Sequence, residues 1–175
     1  MAQIEDTLKE LDRWFNELPG ASDRPKLLSK LATLELCGWL EHRLDLLVHK
    51  AGAAVGLDED WIEKNVVKDN YGFTYHDHLR KMLGKLIGEF AVSHLEETFE
   101  GDSPGTLEQL KGSLTTLSKS RGVLAHTHSA APVVKQQVSV NAPSWALNQH
   151  RVIAKMIDQF ERSMAAAFAR TIAKP

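Results

Sequence analysis

Arg121, His126 and His128 stand together in "LSKSRGVLAHTH" (117–128). A guanidinium presents forked N–H donors that match a phosphate. An imidazole moves protons near neutral pH. One arginine followed by two histidines is therefore a minimal set for phosphate chemistry. The arginine sits in an unexpected place. Leu107, Leu110, Leu114, Leu117, Arg121 and Leu124 follow one another in steps of three and four, which predicts one packing stripe with a charge inside it. Burying a guanidinium alone is costly, so an anion or an interface must receive it. Glu35 or Glu41 on a neighbouring helix could supply a carboxylate; alternatively, Arg121 snorkels to water near the helix end. If the helix continued, His128 would lie two turns past Arg121 on nearly the same face, and His126 would point well away from it.

The elements that must position these residues read as helices. "AQIEDTLKELDRWFNEL" sets Ile4, Leu8, Leu11, Trp14, Phe15 and Leu18 on one face, and Pro19 and Gly20 stop it. A long apolar helix is expected from Lys26 to about Val55, and a short capped one between Asp58 and Asn65. A third long helix is expected from Thr74 to Phe99, facing inward through Leu79, Met82, Leu83, Leu86, Ile87 and Phe90 and ended by "EGDSPG". Ser103 before Pro104 reads as the N-cap of the leucine-striped helix, which would run to about Ala125. "SAAPVVKQQVSVNAPS" (129–144) reads as an extended crossing segment. A final helix over about Ser144–Ile172 would face Trp145, Val152, Ile153, Met156, Ile157 and Phe160 inward. The prediction is an all-α antiparallel bundle of about five long helices in one domain (1–175), with an N-terminal helix over 1–20 and the bundle over 26–172.

Composition agrees with a globular chain: 175 residues, 43% apolar and 25% charged. The single cysteine, Cys37, lies in an apolar periodic stretch and reads as buried filler. No apolar run approaches the length of a membrane span, and the start is not signal-like, so a cytoplasmic location is expected. The net charge of −2 does not by itself suggest a nucleic-acid binder, and its distribution is more informative. No acidic residue occurs between Glu108 and Asp158. That stretch holds Lys111, Lys119, Arg121, Lys135, Arg151 and Lys155, with His126, His128 and His150, while the other 15 basic side chains are set against all 23 acidic ones. The asymmetry points to one face that favours anions.

Other constellations carry less. His76 and His78 in "YHDHLRK" would diverge on a helix and have no partner set at metal spacing, so no metal and no cofactor are expected. The serines near His126 lack a nucleophile-elbow setting. Trp14, Trp39, Trp61 and Trp145 are spread over four segments and read as core or interface anchors rather than a base-stacking platform.

"SRGVLAHTH" resembles the R-x4-6-H signature of the HEPN superfamily, often written R-N-x-x-A-H, near the end of a penultimate long helix. Arg121 and His126 match its shortest spacing, with Ala125 before the histidine; His128 falls at six intervening residues. The long helix "LELCGWLEHRLDLLV" and the leucine-striped helix are similar in layout, so the resemblance covers the chain from about residue 26 onward. It implies a helical bundle that dimerises with the two motifs facing each other. For active members it also implies metal-independent endoribonuclease activity, often in toxins with an antitoxin partner or in phage defence. In that setting Arg121, His126 and His128 would be catalytic, and Lys111, Lys119, Lys135, Arg151 and Lys155 would contact RNA. One departure is Gly122, where many active members carry Asn, Asp or His. This favours a second expectation: an inactive dimer that binds RNA or nucleotides or serves as an interaction scaffold.

Overall fold

The computed structural model describes residues 2–17, 24–68, 70–126 and 141–172. Among these residues every regular element is helical. Helix α1 spans Ala2–Glu17 and buries Leu8 and Leu11, while Trp14 is exposed. Helix α2 spans Arg24–Ala54 and buries Leu36, Leu40, Leu44, Leu47 and Val48. Helix α3 (Glu59–Ile62) begins where the Asp58 carboxylate accepts the Trp61 backbone N–H at 3.0 Å, an N-cap that satisfies one orphan donor. It continues into a wider π-type turn, Glu63–Val67.

The predicted helix over Thr74–Phe99 is several pieces. A π-type turn (Tyr75–Leu79) leads into α4 (Arg80–Ile87), and α5 follows over Glu89–Asp102. The break is Gly88, at φ 81°, a conformation that a residue with a Cβ rarely adopts. Arg80 fixes the fold-back: its guanidinium pairs with Glu89, reaches Ser93 Oγ at 3.3 Å and donates to Glu96 at 3.2 Å. The break resets the helical register, so Phe90, predicted to face inward, is 89% exposed.

The start of the next helix also differs. The Ser103 N–H donates to the Phe99 carbonyl at 2.9 Å, so Ser103 closes α5 instead of capping its successor. Gly105 (φ 77°) makes the turn, and its N–H donates to Glu100 Oε1 at 2.5 Å. Helix α6 then spans Thr106–His126, and α7 spans Pro143–Ile172. Val152, predicted to face inward on α7, is exposed. Of the predicted crossing segment, 129–140 lie outside the described residues, and 143–144 belong to α7.

The chain divides into two compact units, one of residues 1–39 with 116–152, the other of 40–115 with 153–175. Helices α2, α6 and α7 each contribute residues to both. In the first unit α1 meets α7 through Glu5 and Arg151, α2 meets α7 through Trp39 and His150, and the Cys37 thiol lies 4.0 Å from the Leu117 carbonyl of α6. In the second, Phe160 of α7 is buried and takes the edges or faces of Tyr75 and Phe99 at 6.3 and 5.2 Å. Each such T-shaped pair adds about 0.5–1.5 kcal/mol beyond area burial.

Candidate functional site

The leucine stripe of α6 is buried as its spacing predicts: Leu107, Leu110, Leu114, Leu117 and Leu124 are all within the core. Arg121, on the same stripe, is only half-buried. His126 is the last residue of α6, five positions on. Five residues of α-helix carry the backbone about 140° around the axis and about 7.5 Å along it. The first unit therefore holds both motif positions on one continuous helix, with Arg121 one turn or so from its C-terminal end. His128 and Lys135 lie outside the described residues.

Among the side chains predicted to contact RNA, the structure separates two kinds. Lys119 on α6 and Lys155 on α7 are exposed, the first in the unit that carries Arg121 and the second in the other. Arg151 is exposed but committed: its guanidinium donates twice to Glu5 Oε1, at 2.8 and 3.2 Å. Together with the Lys9 ammonium, it keeps the Glu5 carboxyl below its usual range. Lys111 is half-buried, pairs with Glu108 at 2.7 Å and lies over the Tyr75 ring at 5.3 Å. That contact belongs to the packing of the second unit. Of the two carboxylates considered for Arg121, Glu35 is exposed in the same unit and Glu41 is half-buried in the other.

The buried arginine that sequence reasoning missed is Arg43, 9% exposed. It stands on α2 in the series Leu36, Leu40, Arg43, Leu47, the same three-and-four stepping that drew attention to Arg121. Its guanidinium donates to Asp158 Oδ1 at 3.0 Å and pairs with Glu161, both on α7. Lys50 also pairs with Glu161. Burial pushes the Glu161 carboxyl up, but the hydrogen bonds from Lys50 and Arg43 outweigh it and hold it below its usual value. Nearby on α2, burial raises Asp45, and the charges of Glu41 and Glu63 raise it further.

Three other histidines, His78, His76 and His49, sit beside groups of their own unit. His78 Nδ1 accepts the Thr74 N–H at 3.1 Å, and its ring fills the space a Cβ on Gly72 would need. His76 is exposed beside the Tyr75 ring. His49 Nε2 contacts Glu63 at 3.2 Å. Among the described residues no three His, Cys, Asp or Glu side chains are arranged to hold a metal ion. None of the four tryptophans is fully buried: Trp14 and Trp61 are exposed, and Trp39 and Trp145 are half-buried, so a role as core anchors fits at most the latter two.

Among the described residues no helix is long and apolar enough to cross a membrane. In comparisons with protein-family models, curated proteins and solved structures, the chain matches none.

Proposed function

We propose that this chain is a metal-independent endoribonuclease of the HEPN type, acting as a homodimer in which two copies of the motif converge on one phosphate. The observation that carries the proposal is Arg121 and His126 at R-x4-H spacing on the last turns of a long, leucine-anchored helix, in a chain whose described regular elements are all helices. The half-buried position of Arg121 supports it further. A guanidinium has five N–H donors, so one already engaged within the chain can still offer an edge to a ligand.

The chemistry follows from the residue types. The RNA 2′-hydroxyl attacks the adjacent phosphorus, and a histidine takes its proton as general base. The P–O5′ bond breaks, and a second histidine, His128 or the equivalent of His126 in the other copy, protonates the leaving oxygen. Arg121 stabilises the charge that develops on the phosphoryl oxygens. The products are a 2′,3′-cyclic phosphate and a 5′-hydroxyl. DNA lacks the nucleophile and is left intact. Lys119, exposed and in the same unit, would meet neighbouring phosphates in this reading. A cytoplasmic role as a toxin held by an antitoxin, or in phage defence, belongs to the same reading.

Gly122 favours a second reading, an inactive dimer that binds RNA or serves as a scaffold. The residue is exposed, and a Cβ there would meet nothing within 4 Å. A polar side chain would fit, yet this chain lacks one. The experiment is cleavage of mixed RNA in EDTA by the purified protein, beside Arg121→Ala and His126→Ala, with end-group analysis. Cutting that leaves cyclic phosphates and is abolished by both substitutions supports the enzyme. RNA retention without cutting by a folded protein selects the binding module. Cutting that survives His126→Ala but not His128→Ala assigns the proton transfer to His128.

A further inference from the structure

The first unit contains an ionisable side chain that the proposed chemistry does not use. His150 on α7 is 3% exposed, and neither ring nitrogen has a hydrogen-bond partner among the described residues. Its ring packs edge-on against Trp39 of α2, centroids 4.5 Å apart and planes at 72°. Buried polar atoms are nearly always hydrogen-bonded, so an imidazole held this way is an exception that asks for a reason. A neutral ring suits an apolar seat against an indole, whereas an imidazolium with two N–H donors and no acceptor does not.

The charges around the ring do not rescue a proton. Burial opposes it first. Glu5 on α1 favours it, but that carboxylate is already committed to Arg151 and Lys9. Arg151, the next residue of α7, opposes it. Helix α2 presents the uncharged Trp39. The same Arg151–Glu5 pair joins α7 to α1, so the ring sits where three helices of the unit meet.

We propose that His150 is an acid-sensitive lock on this unit: the neutral ring seats α7 on Trp39, and a proton on the ring releases that seat and the α1 contact beside it. The lock acts on the unit that also carries Arg121 and His126, and it stands whether or not the chain cuts RNA. The sign follows from linkage. The folded ring lies below its ordinary value of 6.5, so the released form binds the proton more tightly. Stability from the lock is present above about pH 6.5 and is lost as pH falls from there through the folded value, by up to about tenfold in the equilibrium per pH unit.

The test uses the full chain. Ring carbons of labelled histidine are followed by NMR from pH 8 to 4, with His150→Gln identifying the resonance. Urea unfolding of wild type and His150→Gln is compared at pH 7.5 and 5.5. The expected result is a His150 ring that stays neutral below pH 6.5, and a wild type that loses several-fold more of its folding equilibrium on acidification than the variant. A ring that titrates at or above 6.5 overturns the proposal, as do two proteins that lose equal stability with acid. If His150→Gln does not fold, His150→Phe assigns the resonance, and the wild-type titration alone decides.

Discussion

Replacing Arg43 by methionine tests how the second unit is held. The change keeps an apolar stem in a position that is 9% exposed and removes the charge shared by Asp158 and Glu161. Removing one partner of a fully buried ion pair costs about 3–5 kcal/mol. Here the carboxylate side chains are 30% and 21% exposed, and Glu161 keeps Lys50, so part of the charge is screened or re-paired. Two charge-assisted hydrogen bonds discounted in this way leave a loss of about 2–3 kcal/mol. For a chain of this size that lowers the melting temperature by about 5–10 °C. Urea and thermal unfolding followed by circular dichroism read both values. A double-mutant cycle with Glu161→Gln should show coupling of at least about 1 kcal/mol, as expected for residues in one network. There is also a pH arm. The folded Glu161 carboxyl lies below its ordinary value of 4.5, so its contribution is present above about pH 4.5 and is lost as pH falls through the folded value. Arg43→Met should flatten that acid limb. A loss below about 0.5 kcal/mol, the range of ordinary surface changes, would refute the reasoning.

Other substitutions separate open helix positions from tight ones. Gly38→Ala, in the middle of α2 with nothing within 4 Å of the new Cβ, should stabilise by about 0.5–1 kcal/mol in thermal melts. Gly52→Ala on the same helix should instead cost about 1–3 kcal/mol, because its Cβ would lie 2.3 Å from Cδ1 of buried Ile62. Asp58→Ala removes the α3 cap and should cost about 1 kcal/mol by urea unfolding. Gly122→Asn should leave the melt unchanged or raise it by a few tenths of a kcal/mol. If the chain cuts RNA, the same substitution should raise the cleavage rate; a fall in rate would show that the open backbone at Gly122 is itself required.

Periodicity revealed the α6 stripe because one face of one helix buries all five of its leucines. It could not reveal Gly88. A glycine inside a helical pattern costs about 1 kcal/mol and is often tolerated, so local sequence does not decide whether the helix goes through it. The decision is made by Arg80, whose partners Glu89, Ser93 and Glu96 lie beyond the break, and by a φ that glycine adopts freely. Phe90 shows the consequence, since its inward placement depended on an unbroken register. His150 was visible only as one more member of a basic segment. Its contact with Trp39 joins residues more than a hundred positions apart, and no local rule pairs them.

Arg43 and Arg121 carry the same signal in sequence, a charge at a leucine position, and the structure parts them by burial. Arg43 is sealed between two carboxylates 115 and 118 positions away, as a structural charge must be. Arg121 is half-buried about three-quarters of the way along α6. If burial separates a structural cation from one kept for a ligand, the two substitutions should have opposite profiles. Arg43→Met should lower stability and, if the chain cuts RNA, reduce cleavage only as far as the folded population falls. Arg121→Met should lose less stability than Arg43→Met in the same melt, yet abolish cleavage or RNA retention in a protein that is still folded. An Arg121→Met variant that unfolds as readily as Arg43→Met would make Arg121 a second structural charge and remove the main support for an active motif.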